Sequence, residues 1–206
     1  MKPERIPLFP LDVVLFPGAA MPLHIFEPRY REMTARCLEE KIAFGMIYAP
    51  SGGIAQMGCT ARIERVLKSY PDGRSDILTI GTDVFRMVRL LDEKPYYEAI
   101  VEYPADEPLG SQPLDEEFAR PLIELFQKCL GDSSSLSEVN PLDPVLSYKL
   151  ASLLPLELQD KQQLLEFRNE RKRREILQRA LSELIPKMEH TERKRIKAAG
   201  NGHSHV

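Results

Sequence analysis

Cysteine is scarce. The 206 residues hold three, Cys37, Cys59 and Cys129, odd in number and far apart. This excludes a disulfide framework or a CxxC zinc site as an organising device, and it fits a reducing cytoplasm. Long apolar runs are missing too. The uncharged stretch Val13 to Phe26 is broken by Pro17 and Pro22. A membrane helix needs about 18–20 apolar residues, so none is expected. No small-residue cleavage pattern follows that stretch, so a secretory leader is not expected either. Low complexity is confined to Gly131–Ser135, read as a loop, and Gly200–His205, read as a frayed end. At 23.5 kDa the chain is long enough to build a core without metal or disulfide.

The formal charge of −3 is unevenly placed. From Lys161 onward there are 12 basic and 6 acidic residues, a net of +6, which leaves −9 on residues 1–160. The chain is therefore not a general polyanion binder, although a basic face near the C-terminus is open to a partner.

The first hundred residues read as short strands: Ile6–Pro10, Val13–Phe16, Ala43–Tyr48, a long alternating strand from Met57, Asp76–Ile80, Phe85–Leu90 and Tyr96–Tyr103. Pro7, Pro10, Pro17 and Pro22 belong at edges or corners, because proline donates nothing to a ladder. A bulge is expected near Arg65, where the alternation slips, and a tight turn at Pro71-Asp72-Gly73. Gly81-Thr82-Asp83 and Asp92–Pro95 read as connections. One helix is expected over Pro28–Glu40, with proline at its first position and Tyr30, Met33, Cys37 and Leu38 on one side. On its other side Glu32 and Arg36 are spaced as an ion pair. These features predict a closed or half-closed barrel rather than a parallel sheet, which would need several crossover helices.

After Pro104 the period becomes helical. Leu114, Phe118, Leu122, Leu125, Phe126 and Cys129 form one stripe, with Pro121 expected to kink it or mark a restart. Asp143 and Pro144 open a second helix that Pro155 stops, and Leu158–Phe167 makes a short third. Asn169 caps a last one, whose apolar stripe runs from Ile176 to Ile185 and is expected to end at Pro186. The resulting division is residues 1–104 as a strand subdomain with one helix, 105–186 as a helical subdomain, and 187–206 as a charged, flexible tail.

Two long motifs, Ile6-Pro-Leu-Phe-Pro-Leu-Asp-Val-Val-Leu-Phe-Pro-Gly18 and Met21-Pro-Leu-His-Ile-Phe-Glu-Pro-Arg-Tyr30, resemble the amino-terminal domain of the ATP-dependent protease Lon. So do Gly58–Ile63, Pro71–Arg86 and the helical Leu154–Phe167. The resemblance covers roughly residues 5–185. It implies an α+β fold: a PUA-like pseudo-barrel of mostly antiparallel strands, followed by a small helical bundle. It also implies a domain that engages substrate proteins and contributes to assembly. The chain looks like the small bacterial proteins that carry this module alone. These 206 residues contain no GxxxxGK[ST] loop and no proteolytic serine–lysine module, so ATP-dependent proteolysis does not carry over.

Enzyme signatures are absent. There is no GxSxG and no HExxH, and His24 is the one histidine in the matched region. The expectation is a non-enzymatic module without cofactor or metal that binds unfolded or exposed polypeptide segments. Phe26, Arg29, Tyr30 and Arg86 are the candidate contacts. The bland alternatives are that Phe26 and Tyr30 plug the barrel and that Arg29 and Arg86 are solvated or paired. An alternative reading is RNA binding through Arg171, Lys172, Arg173 and Arg174, a basic run at a helix start where the dipole does not favour it. Its structural counterpart is a solvated surface turn. Self-association, or association with a full-length protease through related domains, is a further expectation.

Overall fold

The computed structural model describes residues 2–107, 116–130, 143 and 145–200, with side chains described except at 116–119, 128–130, 189 and 191–200. The chain divides into two units. One comprises Met1–Glu107 with Tyr148–Arg168; the other comprises Pro108–Ser147 with Asn169–Val206. A cut after Pro104 is what periodicity suggests, whereas the contacts group Tyr148–Arg168 with the strand-rich part.

In the first unit, β1 (Arg5–Leu11), β2 (Ala20–Ile25), α1 (Pro28–Glu40), β3 (Phe44–Tyr48), β4 (Met57–Ser69), β5 (Ser75–Leu91) and β6 (Glu98–Glu102) follow one another. The sheet order is β2-β5-β4-β3-β1-β6, and a further β5–β6 pairing closes it into a barrel with β2 outside. All pairs are antiparallel except β1–β3, which is joined by a crossover through α1. Val13–Phe16 is not a strand. Val14, Leu15 and Phe16 are instead buried as a plug. Gly81-Thr82-Asp83 is not a connection either, because β5 runs straight through it. A Cβ at Gly81 would lie 2.2 Å from the Phe16 carbonyl oxygen, so glycine lets the plug reach the strand there. Thr60 and Thr82 hydroxyls meet at 2.7 Å and hold the ladder together at that point. The bulge appears between Ile63 and Arg65, with two more at Cys59/Ala61 and Val66/Lys68.

In α1, Tyr30, Met33 and Cys37 face the core, but Leu38 is exposed. Arg36 pairs with Glu40 rather than Glu32, and it also reaches the buried Glu98 at 2.7 Å. Phe85 centres a cluster with Ile6, Leu8, Ile47, Ala99 and Val101. On the barrel side, Gln162 of α4 (Leu158–Glu166) donates to the Met57 carbonyl, and the Tyr148 ring stacks on Phe16. These contacts explain why Tyr148–Arg168 belongs with the strands.

In the second unit, α2 (Glu116–Leu130) packs on α5 (Glu170–Gly200), with Leu122, Phe126, Leu177 and Leu181 buried. The short α3 (Leu146–Leu153) follows Asp143, whose carboxylate accepts from the Val145 N–H. Asn169 caps α5 through the Lys172 N–H, as expected. Pro186 does not end the helix, which continues to Gly200. It removes one donor to the Ser182 carbonyl, and the Ser182 hydroxyl bonds back to Gln178 in the same stretch. The expected loop 131–140 and the end from Asn201 lie outside the described residues.

Candidate functional site

Cross-strand register assembles one sheet face. His24 of β2 stands opposite Asp76 of β5, and Asp76 stands opposite Lys68 of β4. Directly paired residues share a face, and the period of two places Phe26, Arg74 and Tyr70 on that same side. The turn that joins β4 to β5 is closed by the Tyr70 N–H to the Arg74 carbonyl and by the Gly73 N–H to Tyr70, both at 2.9 Å. Gly73 has φ +84°, and the Arg31 guanidinium of α1 lies where its Cβ would stand. The positive φ is what favours glycine there, since the Arg31 tip is flexible and can shift.

The Asp76 carboxylate organises the face. It accepts from His24 Nδ1 at 2.5 Å and from the Tyr70 hydroxyl at 2.8 Å. The His24 hydrogen bond, then the Tyr70 one, holds the Asp76 carboxyl below the usual range. So fixed, the His24 ring stacks on Phe26 and meets Tyr70 edge-on, both at 5.8 Å between centroids. Lys68 and Arg74 lie 4.6 and 5.1 Å from the Tyr70 centroid. Phe26 is 58% exposed, the most exposed large apolar residue among those described.

The charge around Phe26 is mainly positive. Arg74 pairs with Asp72 and His24 with Asp76, but among the described residues no carboxylate lies within ion-pair distance of Arg31, Arg65 or Lys68. Arg65 pairs with Leu78 on the face carrying His24 and Asp76. Chemically the face offers an apolar anchor, an oriented imidazole and a cationic rim. His24 carries no hydrogen bond to a described Ser, Thr or Cys side chain. Burial pushes the Cys37 thiol up to about 12 and the Cys59 thiol higher still, so neither is poised as a nucleophile. No set of three His, Cys, Asp or Glu among the described residues is placed to hold a metal. No described helix is long and apolar enough to cross a membrane.

The residues singled out from sequence scatter. Phe26 stands at the centre of the face. Arg29 follows it three residues on but is tied to Glu27 and lies over the Tyr30 ring. Tyr30 is 5% exposed and packs on Phe9 at 4.1 Å, so its ring is part of the core. Arg86 sits much further along β5, in register with Met57 and Glu102. It is closer to a second cleft of about 440 Å³ lined by Lys2, Val88, Glu102 and Tyr103. Lys68, Tyr70, Arg74 and Asp76 carry no motif of their own, although the Pro71-Asp72-Gly73 turn places residues 70 and 74 opposite one another.

The basic run also differs from expectation. Lys172 is exposed and Arg171 half-buried, but Arg173 and Arg174 are among the most buried side chains described, at 0% and 1%. Glu170, one helical turn earlier, accepts from both. Ser147 joins by donating to Glu170 and accepting from Arg173. The run is therefore not a solvated turn, and half of it is out of reach of RNA.

Comparison with known proteins agrees with this architecture. Residues 5–183 match the family model of the ATP-dependent protease La (LON) substrate-binding domain. The Lon protease of Escherichia coli is 29% identical over 202 residues, covering 86% of this chain and 25% of the relative. Lon protease 2 of Herpetosiphon aurantiacus is 28% identical over 205 residues, covering 90% and 24%. The chain thus spans about a quarter of the length of these relatives. The crystal structure of a Lon N-terminal domain protein from Xanthomonas campestris superposes with a TM-score of 0.68 at 29% identity, covering 84% of this chain and 96% of that one. The N-terminal domain of Mycobacterium avium complex Lon protease shares the fold, with a TM-score of 0.66 at 15% identity over 86% and 98%. The barrel, its crossover helix and the helices that follow, matched over residues 5–183, make this chain a member of the Lon substrate-binding domain family.

Proposed function

We propose that this chain is a non-catalytic module that holds unfolded or exposed polypeptide segments on the face around Phe26. The observation that carries the reading is a large aromatic ring left 58% exposed while its neighbour His24 is locked by Asp76. A rigid apolar anchor with polar groups at its rim suits an extended chain. Family membership supports the reading, since the family is described by substrate binding. We further propose that it works in the cytoplasm without cofactor, and that it associates with a full-length protease or with itself through related surfaces. The test is binding of a fluorescent, chemically unfolded protein by anisotropy. Phe26→Ala should weaken it by about five-fold or more, the loss of one hot-spot residue, while Val88→Ala should not. Equal affinity of Phe26→Ala and wild type would overturn the assignment of this face.

A further inference from the structure

We infer that the Phe26 face selects among polypeptide segments by charge, taking an apolar or aromatic side chain flanked by carboxylates. The inference rests on the reading above and adds the class of segment to it. The unit that carries this face, Met1–Glu107 with Tyr148–Arg168, holds 16 basic and 19 acidic residues, a net of −3, yet the rim of this face is built from Arg31, Arg65, Lys68 and Arg74. Of these only Arg74 makes a direct ion pair among the described residues, with Asp72, while Lys68 and Arg31 lie near Asp76 and Asp72 without one. The other three arrive from separate places: Arg31 from α1 against the Gly73 turn, Arg65 and Lys68 from β4. Four cations that converge with one direct ion pair among the described residues, near only the Asp72 and Asp76 carboxylates, on a unit of net negative charge, offer charge complementarity to a carboxylate from outside.

The occupant is a peptide rather than a nucleic acid, because the face leaves at most one ring surface open and gives successive bases no run of stacking platforms. Phe26 has one face on His24, and Tyr70 has Lys68 and Arg74 against it. What remains free is the exposed body of Phe26, which suits a side chain of similar size. The flanking carboxylates then fall near the rim cations.

The test uses the full chain and three labelled 12-residue peptides, each with one central Phe flanked by Glu, Gln or Lys. A labelled oligouridylate of matching negative charge is the fourth probe. The Glu peptide should bind about three- to ten-fold more tightly than the Gln peptide at low salt, the scale of two or three solvent-exposed charge pairs. The preference should collapse toward unity near 0.5 M salt. The Arg31→Gln/Lys68→Gln double variant should lose the preference but keep the Gln peptide's affinity. Lys68→Glu should shift the preference toward the Lys peptide. Equal binding of the Glu and Gln peptides overturns the charge selection and leaves polypeptide binding standing. Failure of all three peptides overturns both. Tighter binding of the oligouridylate replaces the peptide with RNA. Thermal melts of the variants matching wild type keep the comparison interpretable.

Discussion

Glu170 accepts hydrogen bonds from Arg173 at 2.9 Å and from Arg174 at 2.8 Å, with all three side chains withdrawn from solvent. One carboxylate thus serves two buried guanidinium groups. Removing it leaves both without that charge in a low-dielectric site. Glu170→Gln should cost about 3–5 kcal/mol in urea unfolding, the scale for breaking a buried pair. Lys172→Gln, one position before Arg173 but exposed, should stay within about 0.5 kcal/mol. A Glu170→Gln protein as stable as wild type would show that this cluster does not hold the second unit together.

Glu98 is the corresponding knot in the barrel. Its side chain is 3% exposed and meets Arg5 at 2.5 Å, Arg36 at 2.7 Å and Lys94 at 3.6 Å. Burial alone raises its carboxyl, but the Arg5 and Arg36 hydrogen bonds outweigh burial and hold it below the ordinary 4.5. A depressed folded value gives stability that is fully present above the unfolded value. That stability is lost as pH falls through the folded one. Unfolding free energy should therefore decline below about pH 4.5, and Glu98→Gln should flatten that part of the profile. At neutral pH the substitution should cost about 1–3 kcal/mol. An unchanged acid profile in Glu98→Gln would rule this origin out.

Cys37 and Cys59 are buried with their thiols pushed up by burial. In a Cys129→Ser background, a thiol reagent at pH 8 should leave the native protein unlabelled and label both sites in denaturant. Rapid native labelling would contradict the packing of α1 and β4.

Tyr30 separates fold from binding. Its ring sits between Phe9 and the Arg29 guanidinium, at 4.1 and 4.5 Å. Tyr30→Ala should cost about 3–5 kcal/mol by thermal or urea unfolding, whereas Phe26→Ala should barely change stability. If Tyr30→Ala proved neutral for stability yet abolished peptide binding, the sequence-based view of Tyr30 as a contact would return.

The elements legible in the sequence are those whose signals are local. Pro28 and the spacing of Tyr30, Met33 and Cys37 set out α1, and Pro71-Asp72-Gly73 set out the β4–β5 turn. Features made by distant partners were hidden. Gly81 reads as a break until Phe16 is seen pressing on it, and Val13–Phe16 has strand composition but forms no strand, with Val14, Leu15 and Phe16 buried against Gly81 and Tyr148. The candidate face was half legible: Phe26 stood out, but Lys68 and Asp76 reach its neighbourhood only through register with His24. The fate of Arg173 and Arg174 did have a signal, since Glu170 precedes them by three and four residues on one helix face.

β2 lies at the end of the strand order, so its outer side is where another sheet would begin. The Gly81 N–H to the Ala19 carbonyl sets the phase of its ladder: Met21, Leu23 and Ile25 bond inward, while Ala20, Pro22 and His24 turn their backbone outward. Pro22 thus removes the middle donor from the open side. A captured segment would find side chains to rest on but an interrupted template to copy. If the face holds exposed chain as proposed, this would separate holding from seeding: a client would be gripped and released without its strands being recruited into a growing aggregate.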